Sequence, residues 1–382
     1  MAETTQSPLH QLHPLGQSVW LDYIRRELLE NGELERMIRA HDLRGVTSNP
    51  SIFEQAIGQS DDYDDALETL AAEGADAQEA FDELAFDDIR RACDHFRPVY
   101  EEAGGGDGFV SLEVSPVLAH DTEETLAEAR RMWGAVNRPN LMIKVPGTEA
   151  GIPAVEQLLS EGLNVNITLL FSRAGHERVM EAYLRGLERR AEAGEPLAHI
   201  ASVASFFVSR VDTAVDARLE ALAEAAGSEA ERARILALRG RAAVANARLA
   251  YQRFREVFAG ERWERLRARG ARVQRPLWAS TSTKNPAYRD VIYVEELIGP
   301  DTVNTMPLAT IEAFADHGVA RRTVDADPEG ARADLAALQA LGIDLDEVTE
   351  RLQVEGVEKF EASFRQMMKA VAEKLERVSQ GT

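Results

Sequence analysis

Lys144 is the residue in this chain best suited to covalent chemistry, because of how rarely lysine is used. The 382 residues hold 43 Lys plus Arg, and only five are lysine: Lys144, Lys284, Lys359, Lys369 and Lys374. Everywhere else arginine supplies the positive charge. Arginine stays protonated, whereas a desolvated lysine amine can lose its proton and attack a carbonyl carbon. Lys359, Lys369 and Lys374 fall in a polar C-terminal helical pattern. Lys144 instead ends the apolar run Leu141-Met142-Ile143, just before Val145-Pro146-Gly147. The local pattern leaves two readings, an amine for imine chemistry or a side chain running its stem over a sheet edge to reach water.

Other polar residues end apolar stretches in the same way. Ser18 to Leu21 delivers Asp22, and Leu43 to Thr47 leads into Ser48-Asn49-Pro50. Phe109 to Leu112 delivers Glu113. Asn166 and Thr168 lie on the apolar run after Lys144, and Ser205 and Arg210 follow the run from His199. Ser280 ends Arg275 to Ala279, with Lys284 in the polar loop beyond. Taken singly, each has a structural explanation. Asp22 fits a helix N-cap, and Asn49 before Pro50 fits an N-cap followed by proline at the first helical position. His10 and His13 have no further metal-ligand type beside them. The run Gly104-Gly105-Gly106-Asp107-Gly108 lacks the spacing and lysine of a phosphate loop and reads as a hinge or turn.

The elements that must position these residues follow a repeating order. After Lys144 the chain breaks at Pro146-Gly147. Thr148 is placed to cap a helix with Ile152, Val155, Leu158 and Leu159 at helical spacing, and a second apolar strand follows. Such a strand–helix–strand unit of about 30 residues predicts a parallel sheet. Strands are predicted near 17–22, 43–47, 109–114, 140–145, 163–168, 199–205, 275–280 and 302–306, each followed by helix. That order predicts an α/β fold, the (β/α)8 or TIM barrel, as one domain over 1–382. Helical insertions are expected near 54–105 and 213–270, an irregular arm over about 1–16, and a C-terminal helical segment over 327–378. No function follows from the 213–270 insertion.

Composition narrows the partners. A net charge of −22 spread along helices argues against nucleic acid and anionic membrane surfaces. Cys93 is the sole cysteine, which excludes an intrachain disulfide or a cysteine metal cluster. The first residues lack a basic start and an apolar core, and no run approaches the roughly 20 apolar residues of a membrane span. A soluble, cytoplasmic protein is expected, with a monomer or a homodimer both open.

Catalytic groups of a (β/α)8 barrel project from the C-terminal ends of its strands. Residues chosen there only as caps need not include two carboxylates, an amine and two asparagines on one rim. Together they suit imine chemistry. Lys144 attacks a ketone, and the protonated imine withdraws electrons so that the neighbouring carbon–carbon bond breaks. Asp22 takes the proton from the adjacent hydroxyl, and Glu113 handles the water of imine formation and hydrolysis. Asn49 and Asn166 meet hydroxyls of the retained fragment, while Arg210, Ser280 and Lys284 hold a phosphate.

At these residues the chain resembles a known family. GVTSNPSIF (Gly45–Phe53) and IKVPGTEAGIPAVEQL (Ile143–Leu158) are similar to two signature stretches of transaldolases. NVNITLLFS (Asn164–Ser172) and SFFVSR (Ser205–Arg210) resemble further motifs of the same family, in its longer bacterial type. The resemblance implies transfer of a dihydroxyacetone unit from sedoheptulose 7-phosphate to glyceraldehyde 3-phosphate, giving erythrose 4-phosphate and fructose 6-phosphate. It implies sugar-phosphate substrates, no metal or organic cofactor, and a place in the non-oxidative pentose phosphate pathway. It makes Lys144 the imine-forming lysine, Asp22 the proton acceptor and Glu113 the water-orienting acid. Asn49, Asn166 and Thr168 match residues around the donor and the water, Ser205 and Phe207 residues lining the pocket, and Arg210 a phosphate-binding arginine. One departure stands out: where the family often has Ser-x-Arg, this chain has Ser280-Thr281-Ser282, and Lys284 is the candidate replacement. An aldolase on the same barrel that releases free dihydroxyacetone, and a barrel that only binds sugar phosphates, are the alternatives.

Overall fold

The computed structural model describes residues 7–379. Eight parallel strands, β1 (Gln17–Asp22), β2 (Leu43–Thr47), β3 (Phe109–Glu113), β4 (Leu141–Pro146), β5 (Val165–Leu170), β6 (Ser202–Phe207), β7 (Arg275–Ala279) and β8 (Thr302–Met306), close into a barrel. Each pairs with its neighbours in sequence, and β1 closes on β8 with Gln17 opposite Thr302. The strands are apolar nearly throughout because helices outside and side chains inside bury both faces. β4, β5 and β6 have no exposed residue at all.

The expected strands are all present, with shifted starts. β5 begins at Val165 because Gly162 and Leu163 close the preceding helix, their amides bonding back to the Leu158 and Leu159 carbonyls. β6 begins at Ser202, after a turn in which Ile200 N–H donates to the Leu197 carbonyl. The N-cap position of the helix Gly151–Glu161 falls on Ala150 rather than Thr148; Thr148, two residues earlier, still accepts the Gly151 N–H through its hydroxyl at 3.0 Å. The expected irregular arm lies outside the described residues over 1–6. From Pro8 it is instead two short 3-10 helices that bury Leu9 and Leu12 completely.

Inside the barrel, one glycine is dictated by packing. A Cβ at Gly45 on β2 would lie 2.6 Å from the Trp20 indole and 2.7 Å from the Phe109 carbonyl oxygen. The Trp20 ring fills the space that a side chain there would need, so the barrel is plugged below its mouth.

The regions expected as helical insertions are helical: Pro50–Gly58, Asp64–Glu73 and Ala77–Glu102 after β2, and four helices between Ser209 and Arg267 after β6. The described residues end in the 35-residue helix Leu345–Ser379, which packs on the helix Pro50–Gly58 and reaches the strand ends. No helix among the described residues is long and apolar enough to cross a membrane.

Candidate active site

Strand register sets the chemistry in rows. Glu113 on β3 lies opposite Lys144 on β4, and Lys144 lies opposite Asn166 on β5. One step further out, Pro146 faces Thr168. Across the barrel Asp22 on β1 pairs with Thr47 on β2. Side chains alternate along a strand, so this register directs the polar members of each row to the same interior.

Lys144 is 4% exposed, which rules out the reading in which its amine reaches bulk water. Its Nζ lies 3.0 Å from Glu113 Oε2 and donates to the Ser48 carbonyl at 3.1 Å. The Phe360 ring covers it, with the centroid 5.7 Å away. Burial holds the Glu113 carboxyl above the ordinary glutamate range; Lys144 opposes this, and the Asp22 charge reinforces it. The two groups are close enough to exchange a proton directly.

Asp22 caps no helix: the first helix starts later than expected, at Arg26, without a side-chain cap. Its carboxylate accepts instead from the Thr47 hydroxyl at 2.7 Å, and Thr47 Oγ1 is 2.6 Å from Thr305 Oγ1. Burial raises the Asp22 pKa; the Lys144 charge and the Thr47 hydrogen bond pull it back. Asn49 does cap, its side chain accepting Ile52 N–H at 3.1 Å, and also lines the cavity.

Nine of the eleven predicted residues wall one cavity of about 200 Å³: Asp22, Asn49, Lys144, Thr168 and Ser205 on one side, with Phe207, Arg210, Ser280 and Lys284 completing it. Glu113 and Asn166 stand behind the wall. Glu113 acts on the cavity through Lys144. Asn166 donates to Ser111 Oγ at 3.0 Å and accepts from Ser205 Oγ at 2.7 Å, which fixes its amide and orients Ser205. Two buried oxygens near Lys144, Glu113 Oε1 and Thr168 Oγ1, have no hydrogen-bond partner among the described residues.

Two residues on this rim hold a backbone conformation that side chains disfavour. Leu169 has φ 58° and Ser280 φ 55°. Strain of this kind costs of order 1–3 kcal/mol and persists where surrounding structure enforces it. Gln353, on the C-terminal helix, donates to the carbonyls of Leu169 at 3.0 Å and Gly147 at 3.2 Å. At Ser280 the carbonyl accepts Ser209 N–H, and the two hydroxyls lie 3.0 Å apart. Thr281, in the departing Ser280-Thr281-Ser282 stretch, is buried and bonded to Asn304, and does not line the cavity.

Sequence reasoning missed the contribution of the C-terminal helix. Lys359 and Phe360 line the cavity, as do Thr47, Ser51, Ser282 and Thr305. The scarcity of lysine, which singled out Lys144 and Lys284, applies equally to Lys359.

An eight-stranded parallel barrel with a buried amine 3.0 Å from Glu113, sharing its mouth cavity with Asp22, defines the class: a (β/α)8 protein with a buried lysine in a strand-end pocket. The family model described as Transaldolase/Fructose-6-phosphate aldolase matches residues 19–371, and the chain belongs to that family. It is 52% identical to a transaldolase of Parafrankia sp. (strain EAN1pec) over 96% of this chain and 98% of the relative. It is 53% identical to one of Acidothermus cellulolyticus, covering 97% of each chain. With one of Mycolicibacterium smegmatis it shares 49%, over 97% of this chain and 98% of the relative.

Proposed function

We infer that this protein is a transaldolase that moves a dihydroxyacetone unit between sugar phosphates through an imine on Lys144, in the non-oxidative pentose phosphate pathway. The observation that carries the mechanism is the Lys144 amine, buried and 3.0 Å from Glu113 Oε2, facing a cavity that also holds Asp22. Glu113 takes the ammonium proton, and Nζ adds to the keto carbon of the donor. The carbinolamine loses its hydroxyl as water, protonated by the Glu113 carboxyl, and leaves an iminium ion. Asp22 removes the proton from the hydroxyl on the far carbon of the bond to be cleaved. The electron pair of that bond flows into the iminium, an aldose phosphate leaves, and a three-carbon enamine stays on Lys144. An incoming aldose phosphate reverses these steps, with Asp22 returning its proton to the new alkoxide, and water added at Glu113 releases the ketose. The unpartnered oxygens Glu113 Oε1 and Thr168 Oγ1 support a water held between them. Asn49 and Ser205 hold the hydroxyls of the retained fragment, with Asn166 orienting Ser205 from behind the wall, Phe207 walls the pocket, and Arg210, Ser280 and Lys284 take the phosphate.

The cavity draws on seven of the eight strands, all but β3, and on the last helix, which supports reading 1–382 as one barrel domain with insertions near 54–105 and 213–270. Borohydride added with fructose 6-phosphate is expected to raise the protein mass by one reduced three-carbon unit, and Lys144→Ala is expected to abolish this without unfolding. Fructose 6-phosphate alone should release glyceraldehyde 3-phosphate about once per active site, and continuous release should require erythrose 4-phosphate, which takes the three-carbon unit and leaves as sedoheptulose 7-phosphate. Accumulation of free dihydroxyacetone at a comparable rate would instead mark a releasing aldolase.

A further inference from the structure

We propose that Lys359, on the C-terminal helix Leu345–Ser379, is a phosphate-docking residue that completes the cation cluster of Arg210 and Lys284 and ties this helix to the bound sugar phosphate. This rests on the sugar-phosphate reading above and adds to it a residue far outside the strand ends.

Three observations converge on Lys359. First, Arg210, Lys284 and Lys359 wall the same cavity. Second, none of the three has a carboxylate within ion-pair distance among the described residues, although arginines elsewhere pair closely, as Arg25 does with Asp62 at 2.6 Å. In a chain of net charge −22, three cations left without acidic partners around one cavity point to an anionic occupant. Lys284 donates only to the neutral Ser282 hydroxyl, at 2.6 Å, and Arg210 lies over the Phe207 ring at 5.1 Å. Third, the backbone at Ser280 is held in its left-handed conformation at the same wall, with Ser282 beyond it.

Electrostatics agree with this placement. Burial, then the charges of Arg210 and Lys359, lower the Lys284 pKa, and the Asp22 carboxylate only partly offsets them. A phosphate monoester carries about −1.5 to −2 charge near neutral pH, enough to turn this mutual repulsion into shared attraction. The neighbour in sequence explains why the helix matters to catalysis. Phe360 covers the Lys144 amine while Lys359 joins the cations, so one turn of helix touches both the reacting end and the phosphate end of the substrate. Docking the phosphate on Lys359 holds Phe360 over the amine.

Two measurements test this on the full-length protein. With erythrose as acceptor, kcat/KM is compared for fructose 6-phosphate and fructose in the unaltered protein, Lys359→Ala, Lys359→Arg and Lys369→Ala. Calorimetry with inorganic phosphate gives binding to each directly. A charge-assisted contact of this kind is worth roughly tenfold or more in affinity. Lys359→Ala is expected to lower the fructose 6-phosphate to fructose preference about tenfold, mainly through KM, and to weaken phosphate binding by a similar factor. Lys359→Arg should restore most of both, and Lys369→Ala, at an exposed position ion-paired to Glu373, should match the unaltered protein. Unchanged preference and phosphate affinity in Lys359→Ala, or an equal loss for both donors, would overturn the assignment. Absence of any trappable adduct in the unaltered protein counts against the lysine chemistry instead, and the calorimetry then still decides the role of Lys359.

Discussion

Replacing Glu113 with glutamine isolates the central proton transfer. The two side chains are nearly isosteric, so the packing of a fully enclosed site is kept while the acid is removed. In the folded protein Glu113 Oε2 is the carboxylate oxygen next to Lys144 Nζ, at 3.0 Å, and the other contact of that amine is the Ser48 carbonyl at 3.1 Å. Glutamine can accept a hydrogen bond from the amine but cannot take its proton, nor protonate the departing hydroxyl of the carbinolamine. General acid–base catalysis by a positioned side chain contributes about 10²–10⁴ in rate, or roughly 3–5 kcal/mol of barrier. The assay is rapid-quench borohydride trapping with fructose 6-phosphate, which reads imine formation directly, alongside steady-state transfer. Glu113→Gln is expected to slow trapping and turnover together by about 10²–10⁴, with little change in KM, because the lost interaction acts in the transition states. A folded variant whose trapping rate falls less than about tenfold would refute the role given to this carboxyl.

Three further outcomes follow from the same coordinates. Gln353→Ala removes both hydrogen bonds that hold the strained Leu169 turn, and should cost about 1–3 kcal/mol in denaturant unfolding together with a fall in kcat; unchanged stability would show that the turn holds without it. His176 is fully buried with neither ring nitrogen bonded, and burial depresses its pKa from 6.5 to about 4. In the window between those values the unfolded chain binds the proton and the folded chain resists it, so stability is lost as pH falls, by about 3 kcal/mol in all. His176→Leu should flatten that part of the stability profile by about one proton, and an unaltered slope would contradict the assignment. Gly45→Ala drives a methyl into the Trp20 ring and should destabilise by about 1–3 kcal/mol, a loss that thermal unfolding would detect.

Much of this arrangement was legible because several strands are apolar runs that stop at or near a polar residue. Asp22, Lys144 and Thr168 lie at ends of strands buried on both faces, so strand order and closure follow from the alternation of apolar runs with helical periods. Depth was not legible. A period of two says which side chains point inward, but not that Glu113 and Asn166 sit behind the cavity wall while Thr168 reaches it. The plainest omission was the last helix. Its polar face reads as a solvated surface, and nothing local to Gln353, Lys359 or Phe360 tells which strand ends the helix crosses. That is fixed by how Leu345–Ser379 packs on the helix Pro50–Gly58. Lysine scarcity was the usable signal, and it had already been applied to Lys144 and Lys284.

The most direct measurement of the central claim is peptide mapping of the protein after borohydride reduction with fructose 6-phosphate. The account predicts the reduced three-carbon unit on the peptide carrying Lys144, and on none carrying Lys284, Lys359, Lys369 or Lys374. Labelling of any of those four in place of Lys144 would contradict it.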